Sequence, residues 1–209
     1  MSQRRSILRF LADQTGAAAV EFALVSVVFL GLAVGTVDIS RLLWEVSSCK
    51  AATRAATRYA VVNQPAAQVL VDFDAVATLN MYAGDPIPVG AVGAYTCTSS
   101  GCTCSGSGYC GSTALNTTAF DNIVSVMQAR YAGIQAANVV VVYTPVGLGL
   151  AGNPYGPDVE PLVTVRLCQA SDGDNCTPLQ FAPGVLQAFG ISPFDVPPVA
   201  SSLSGEDLS

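Results

Sequence analysis

Histidine is absent from the 209-residue chain, and with it go the commonest general base, the usual nitrogen ligand of zinc and any Ser-His-Asp triad. Charge is also scarce: 11% of residues are charged and 51% are hydrophobic, more apolar than an ordinary soluble domain. Part of the chain must therefore leave water. Positive charge is nearly missing from the distal part, because Arg4, Arg5, Arg9, Arg41, Lys50, Arg54 and Arg58 leave only Arg130 and Arg166 downstream. With a net charge of −6, no basic surface is offered to a phosphate backbone, which argues against nucleic-acid binding. There is no Gly-rich phosphate loop, nucleophile elbow or metal-binding His pair, so no catalytic constellation, cofactor or metal is expected. Cysteine does not occur before Cys49 and is then used seven times. Disulfides persist in the periplasm or outside the cell, so the cysteine-bearing part is expected beyond a membrane.

What the chain does have, from Ala17 to Val37, is a nearly continuous apolar run with Glu21 as its only charge. The length suits a bilayer, which needs about 20 residues of helix. Its large apolar residues each favour insertion by about 0.3–0.6 kcal/mol and together outweigh one carboxylate costing about 3 kcal/mol. Arg4, Arg5 and Arg9 precede the run, which keeps the first residues cytoplasmic and sends the bulk of the chain out. Helical spacing continues through Trp44, Cys49, Ala52, Ala56 and Tyr59, and no proline occurs before Pro65. A single helix on the order of 70 Å follows at about 1.5 Å per residue. Trp44 suits either an interfacial aromatic or a helix-core anchor, and Gly31 with Gly35 forms a small-xxx-small spacing open to another helix.

The order of basic leader, Gly16-Ala17-Ala18-Ala19-Val20-Glu21-Phe22 and apolar helix resembles the type IV prepilin cleavage signal. With Phe22 after the glutamate, it is similar to the Tad branch and its TadE-like proteins. The alanine-rich stretch Ala51–Ala60, ending in Arg58-Tyr59-Ala60, resembles the same pattern, so that the likeness covers residues 9–62. The resemblance implies a minor pilin or pseudopilin of a Tad-type pilus, cut between Gly16 and Ala17 by a prepilin peptidase and contributing to filament assembly, adhesion or biofilm formation. It also implies partnership with other pilin or pseudopilin subunits and an inner-membrane assembly platform, and N-methylation of Ala17. An ionisable group within a span is a functional candidate by default. Cleavage would place the Ala17 amine about one turn from the Glu21 carboxylate, where attraction sets axial register although desolvation offsets much of the gain. The alternative is a permanently anchored periplasmic binding or scaffold domain that needs neither processing at Gly16 nor Glu21.

After Pro65 the chain reads as one mixed domain. Residues 69–82 carry partial helical periodicity, and residues 119–130 form a better helix with Thr118 as a candidate cap. Residues 139–143 and 162–167 read as strands joined by a Gly- and Pro-rich stretch. Cys97, Cys102, Cys104 and Cys110 lie in a Gly-, Ser- and Thr-rich loop that buries little, so covalent closure by disulfides is favoured over a zinc or iron–sulfur site, whose paired C-x2-C spacing is missing. Connectivity among these four is open. Cys168 and Cys176 flank Asp172-Gly173-Asp174-Asn175, which reads as a turn rather than a calcium loop, and are expected to pair. Cys49 is left odd, either buried on the helix or joined to the loop. Asp72 and Asp74 read as a solvated helix edge, and the chain from Pro193 onward as a loosely held tail.

The expected fold class is α+β: a long N-terminal helix, part membrane anchor and part spine, packed on a small antiparallel sheet with disulfide-stapled loops. Its parts are a leader (1–16), a transmembrane helix (17–37), an amphipathic spine (38–64) and an extracytoplasmic head (65–209). The expected location is the bacterial inner membrane, crossed once.

Overall fold

The computed structural model describes residues 16–169, 171–172 and 175–204; the leader to residue 15 and the turn residues Gly173 and Asp174 lie outside that set. Helix α1 (Ala17–Val62) is followed by a short α2 (Ala75–Leu79), strands β1 (Ala94–Thr98) and β2 (Gly101–Ser105), and helix α3 (Thr117–Gln128). Then come β3 (Val139–Pro145), β4 (Pro161–Leu167), the two-residue strands β5 (Ser171–Asp172), β6 (Asn175–Cys176), β7 (Gln180–Phe181) and β8 (Phe194–Asp195), and finally β9 (Val199–Ser204). The fold is α+β, with a long apolar N-terminal helix and a five-stranded antiparallel sheet in the order β2-β1-β3-β4-β9. Two compact units divide the described residues: residues 16–43 with 182–193, and residues 44–181 with 194–204.

In the second unit, the sheet buries one face because its side chains alternate. Tyr95 and Cys97 on β1, Val139, Val141 and Tyr143 on β3, and Val163, Val165 and Leu167 on β4 share that face through the register Cys97↔Val141↔Val165. The opposite face carries Thr96, Val142, Thr164 and Ser202, with the Thr164 and Ser202 hydroxyls 2.8 Å apart. Against the buried face, α3 sets Phe120, Ile123, Val124 and Met127 into the same core. Its N-cap is Asn116, whose side chain accepts from the Ala119 amide at 3.2 Å, two residues ahead of the expected Thr118.

The head half of α1 buries Cys49, Ala52, Thr53, Ala56, Thr57 and Ala60, a repeat of three and four that forms one stripe. Every residue in it is small, and Cys49, Ala52, Ala56 and Ala60 join the same core as the sheet's buried face. The Thr57 hydroxyl is shared between the Thr53 carbonyl at 2.7 Å and the Ser201 carbonyl of edge strand β9 at 3.1 Å. Buried tyrosines tie the loops to the core: the Tyr143 hydroxyl accepts from the Ala66 amide at 2.8 Å, and the Tyr95 hydroxyl from Gly111 at 2.7 Å. Burial pushes the Tyr143 phenol far above its ordinary range. Asp158, also buried, accepts from the amides of Ala75, Gly152 and Asn153 at 2.6, 2.9 and 2.7 Å and so orders the long β3–β4 connection.

Several local expectations are corrected. The stretch from Cys97 to Cys104 is the β1–β2 hairpin with a Ser99-Ser100 turn, because Tyr95 and Cys97 face inward and give an otherwise polar run a buried side. Residues 69–82 hold only a 3-10 turn at Gln68–Leu70 and the five residues of α2, capped by Asp74 through the Ala77 amide at 3.0 Å. The distal chain is not a loose tail as far as Ser204: β9 completes the sheet, with Ser202 and Ser204 on the face of Thr164 and Leu162 and Ser201 opposite Val165 on the other.

Three disulfides close the head: Cys97–Cys102, Cys104–Cys110 and Cys168–Cys176. The first joins directly opposed residues of the hairpin, with Cα atoms 4.0 Å apart. Gly93 must be glycine beside the second, since a Cβ there would lie 2.5 Å from Cys104 Sγ. Cys49 is a buried thiol whose pKa is raised by burial and by Glu45.

Ala56→Leu should overpack the helix–sheet contact and destabilise the head by about 1–3 kcal/mol, read as a lower thermal midpoint. Ala51→Leu, on the exposed side of the same turn, should stay within about 0.5 kcal/mol of wild type. Thiol titration under native conditions should find Cys49 unreactive, and a single thiol should appear on unfolding without reductant.

Candidate assembly site

The apolar half of α1 presents its side chains outward all round. Its large residues from Val20 to Leu32 are each between 59 and 75% exposed, which sets it apart from a core helix. It is the one described helix long and apolar enough to cross a membrane. Gly16 lies directly before the first residue of α1, exposed, with open space where a Cβ would point. Ala17 begins the helix and Glu21 follows four residues later, so the two share a face one turn apart. Glu21 and Phe22 are both exposed. Among the described residues, Glu21 has no ion-pair partner. Gly16, Ala17, Glu21 and Phe22 therefore stand at one helix end, where Gly16, Glu21 and Phe22 lie on surface that the unit's other residues leave open.

At the other end of the apolar run stands a residue that sequence reasoning passed over. Asp38 is 1% exposed and accepts three successive backbone amides, from Gly184 at 3.2 Å, Val185 at 3.0 Å and Leu186 at 2.8 Å. The Arg41 guanidinium is 3.9 Å from the same carboxylate and lies against Gly184, where a Cβ would come within 2.8 Å of Nη1. These amides open the 3-10 turn Leu186–Phe189, which Gly190 ends in the left-handed conformation at φ 86°. The Leu186 amide foremost, then those of Val185 and Gly184 and the Arg41 charge, hold the Asp38 carboxyl below its ordinary 3.8, against the opposing effect of burial. The only hint in the sequence is an acid at the end of the span with Arg41 three residues on. Nothing local connects it to a segment 146 residues away.

The small-xxx-small pair is half occupied within the chain: Leu186 Cδ2 lies 3.7 Å from where a Cβ on Gly35 would be, while Gly31 has nothing near it. Trp44, in the second unit, is 62% exposed and meets the Tyr131 ring edge-on at 5.8 Å. The six head cysteines named above are held as disulfides, and among the described residues no group of three or more His, Cys, Asp or Glu could hold a metal ion.

A single exposed apolar helix precedes the disulfide-closed α+β unit in the sequence. Residues 16–58 match the family model described as TadE-like protein. The N-terminal segment is thus TadE-like, and the match opens at Gly16 and closes at Arg58, well under half of the chain. No curated protein and no solved structure matches the chain.

Because the folded carboxyl of Asp38 has the lower pKa, its contribution is present above the ordinary value of 3.8 and is lost as pH falls through the folded pKa. The amide shifts of Gly184, Val185 and Leu186 should titrate together with a midpoint below 3.8; a midpoint above it would contradict the clasp. At neutral pH, Asp38→Ala should open chymotryptic cleavage after Leu186 or Phe189 that the wild type resists.

Proposed function

We propose that the chain is a minor pilin or pseudopilin of a Tad-type pilus system, anchored once in the bacterial inner membrane by residues 17–37 with its head in the periplasm. A prepilin peptidase removes the leader between Gly16 and Ala17, and α1 then becomes the N-terminal helix through which the subunit meets other pilin subunits and the assembly platform. The observation that carries this reading is the TadE-like match over residues 16–58, which coincides with an exposed glycine, a helix start and an acid one turn in. The new Ala17 amine and Glu21, on one helix face, are the pair that would set register, either within a subunit or with a neighbour. The head, with its disulfides, suits an oxidising compartment and would present the surface that filaments carry outward for adhesion.

Gly16 has open space around it, so Gly16→Ala leaves the folded chain undisturbed and acts on processing alone. The N-terminal sequence and intact mass of protein from membranes should give a start at Ala17, lost in Gly16→Ala and in cells without the peptidase. An intact Met1 in peptidase-positive cells would instead leave a permanently anchored periplasmic scaffold. Glu21→Ala should be processed and inserted normally yet be missing from sheared surface filaments.

A further inference from the structure

Residues 182–193 contain no charged residue, and they belong to the compact unit of the apolar half of α1. Two contacts fix this loop at the point where the apolar run ends. Asp38 takes the amides of Gly184, Val185 and Leu186, and Leu186 lies on Gly35, in the last turn before Val37. Val185 and Ile191 remain 43 and 42% exposed. Further amides are paired inside the loop, Gly190 to the Gln187 carbonyl at 3.0 Å and Ile191 to the Leu186 carbonyl at 3.2 Å. Pro183 and Pro193 have no amide hydrogen to pair.

We propose that residues 182–193 form a membrane-docking loop that seats Val185, Leu186 and Ile191 at the headgroup–acyl boundary of the leaflet from which α1 emerges. The proposal rests on the reading of residues 17–37 as a bilayer span. Lipid is the occupant because the exposed aliphatic surface continues that of the span, whose large residues are 59–75% exposed. Backbone entering the acyl region must have its polar groups satisfied internally, and this loop has five amides paired within the protein, three of them by one carboxylate. An acid at this depth is tolerable only when so bonded, which gives Asp38 its purpose: it neutralises the polarity of the loop's backbone and holds the loop at a fixed depth. Amphipathic segments seated this way bind by buried apolar area.

The test uses the full chain in lipid vesicles, with Trp44→Phe as background and one new tryptophan at a time. Val185→Trp and Ile191→Trp should lose emission when the phosphatidylcholine carries bromine on acyl carbons near the headgroup, and should resist aqueous acrylamide. Phe29→Trp reports the span and Tyr155→Trp, in a head loop and 90% exposed, reports water. Adding Asp38→Ala should abolish the lipid quenching of Val185→Trp and spare that of Phe29→Trp; quenching retained at Val185→Trp would overturn the role of the clasp. If Val185→Trp behaves like Tyr155→Trp while Phe29→Trp is quenched, the loop proposal falls and the span reading stands. If Phe29→Trp is itself unquenched, the span reading fails and takes the loop with it. Shielding from acrylamide that grows with the protein-to-lipid ratio, without quenching by brominated lipid, would assign the loop to a neighbouring protein instead and overturn the proposal.

Discussion

One unbroken helix has to satisfy two different surroundings, and the rest of the molecule follows from that constraint. Over residues 17–37, α1 is apolar on all sides and relies on its own hydrogen-bond ladder to keep backbone polarity away from its surface. From Cys49 to Val61 the same helix is one-sided, with a buried stripe of small residues that joins the core of the head. The change from all-round exposure to one-sided burial takes place without a proline or a break in the helix.

Polar groups inside the protein are managed by the same device in both units. Asp38 and Asp158 are each buried carboxylates with three backbone amides as partners, and each organises a loop that has little apolar surface to bury. Where a carboxylate is not available, disulfides take its place: the β1–β2 hairpin and the return from β2 are Gly-, Ser- and Thr-rich and are closed by Cys97–Cys102 and Cys104–Cys110. Loops of this composition would otherwise lose more conformational entropy than packing returns.

The long helix, the antiparallel strands at 139–145 and 161–167 and the TadE-like character were legible because each is a run of local signals: apolar length, β-branched alternation and an ordered motif. What could not be read depends on distance in sequence. The Asp38 clasp joins residues 146 apart, β9 is a serine-rich strand recognisable only by its partner β4, and the connectivity of the hairpin cysteines follows from a register that places Cys97 opposite Cys102. The polar composition of residues 97–110 and of the chain beyond Pro193 read as loop and tail because edge strands with one solvated face need few apolar residues. At the candidate assembly site, Gly16, Ala17, Glu21 and Phe22 were named from order alone; their place at one helix end, with Gly16, Glu21 and Phe22 exposed, is a structural addition.

The account stands or falls on α1 being one helix with two separately satisfied halves. Hydrogen exchange along residues 17–62 of the full chain, compared in lipid vesicles and after transfer to mild denaturant, tests this most directly. The account predicts that amides from Cys49 to Val61 exchange only with the global unfolding that also opens β3 and β4, whereas those from Ala18 to Val37 are protected only while lipid surrounds them. Residues 49–61 exchanging together with the apolar half, and independently of β3 and β4, would contradict it.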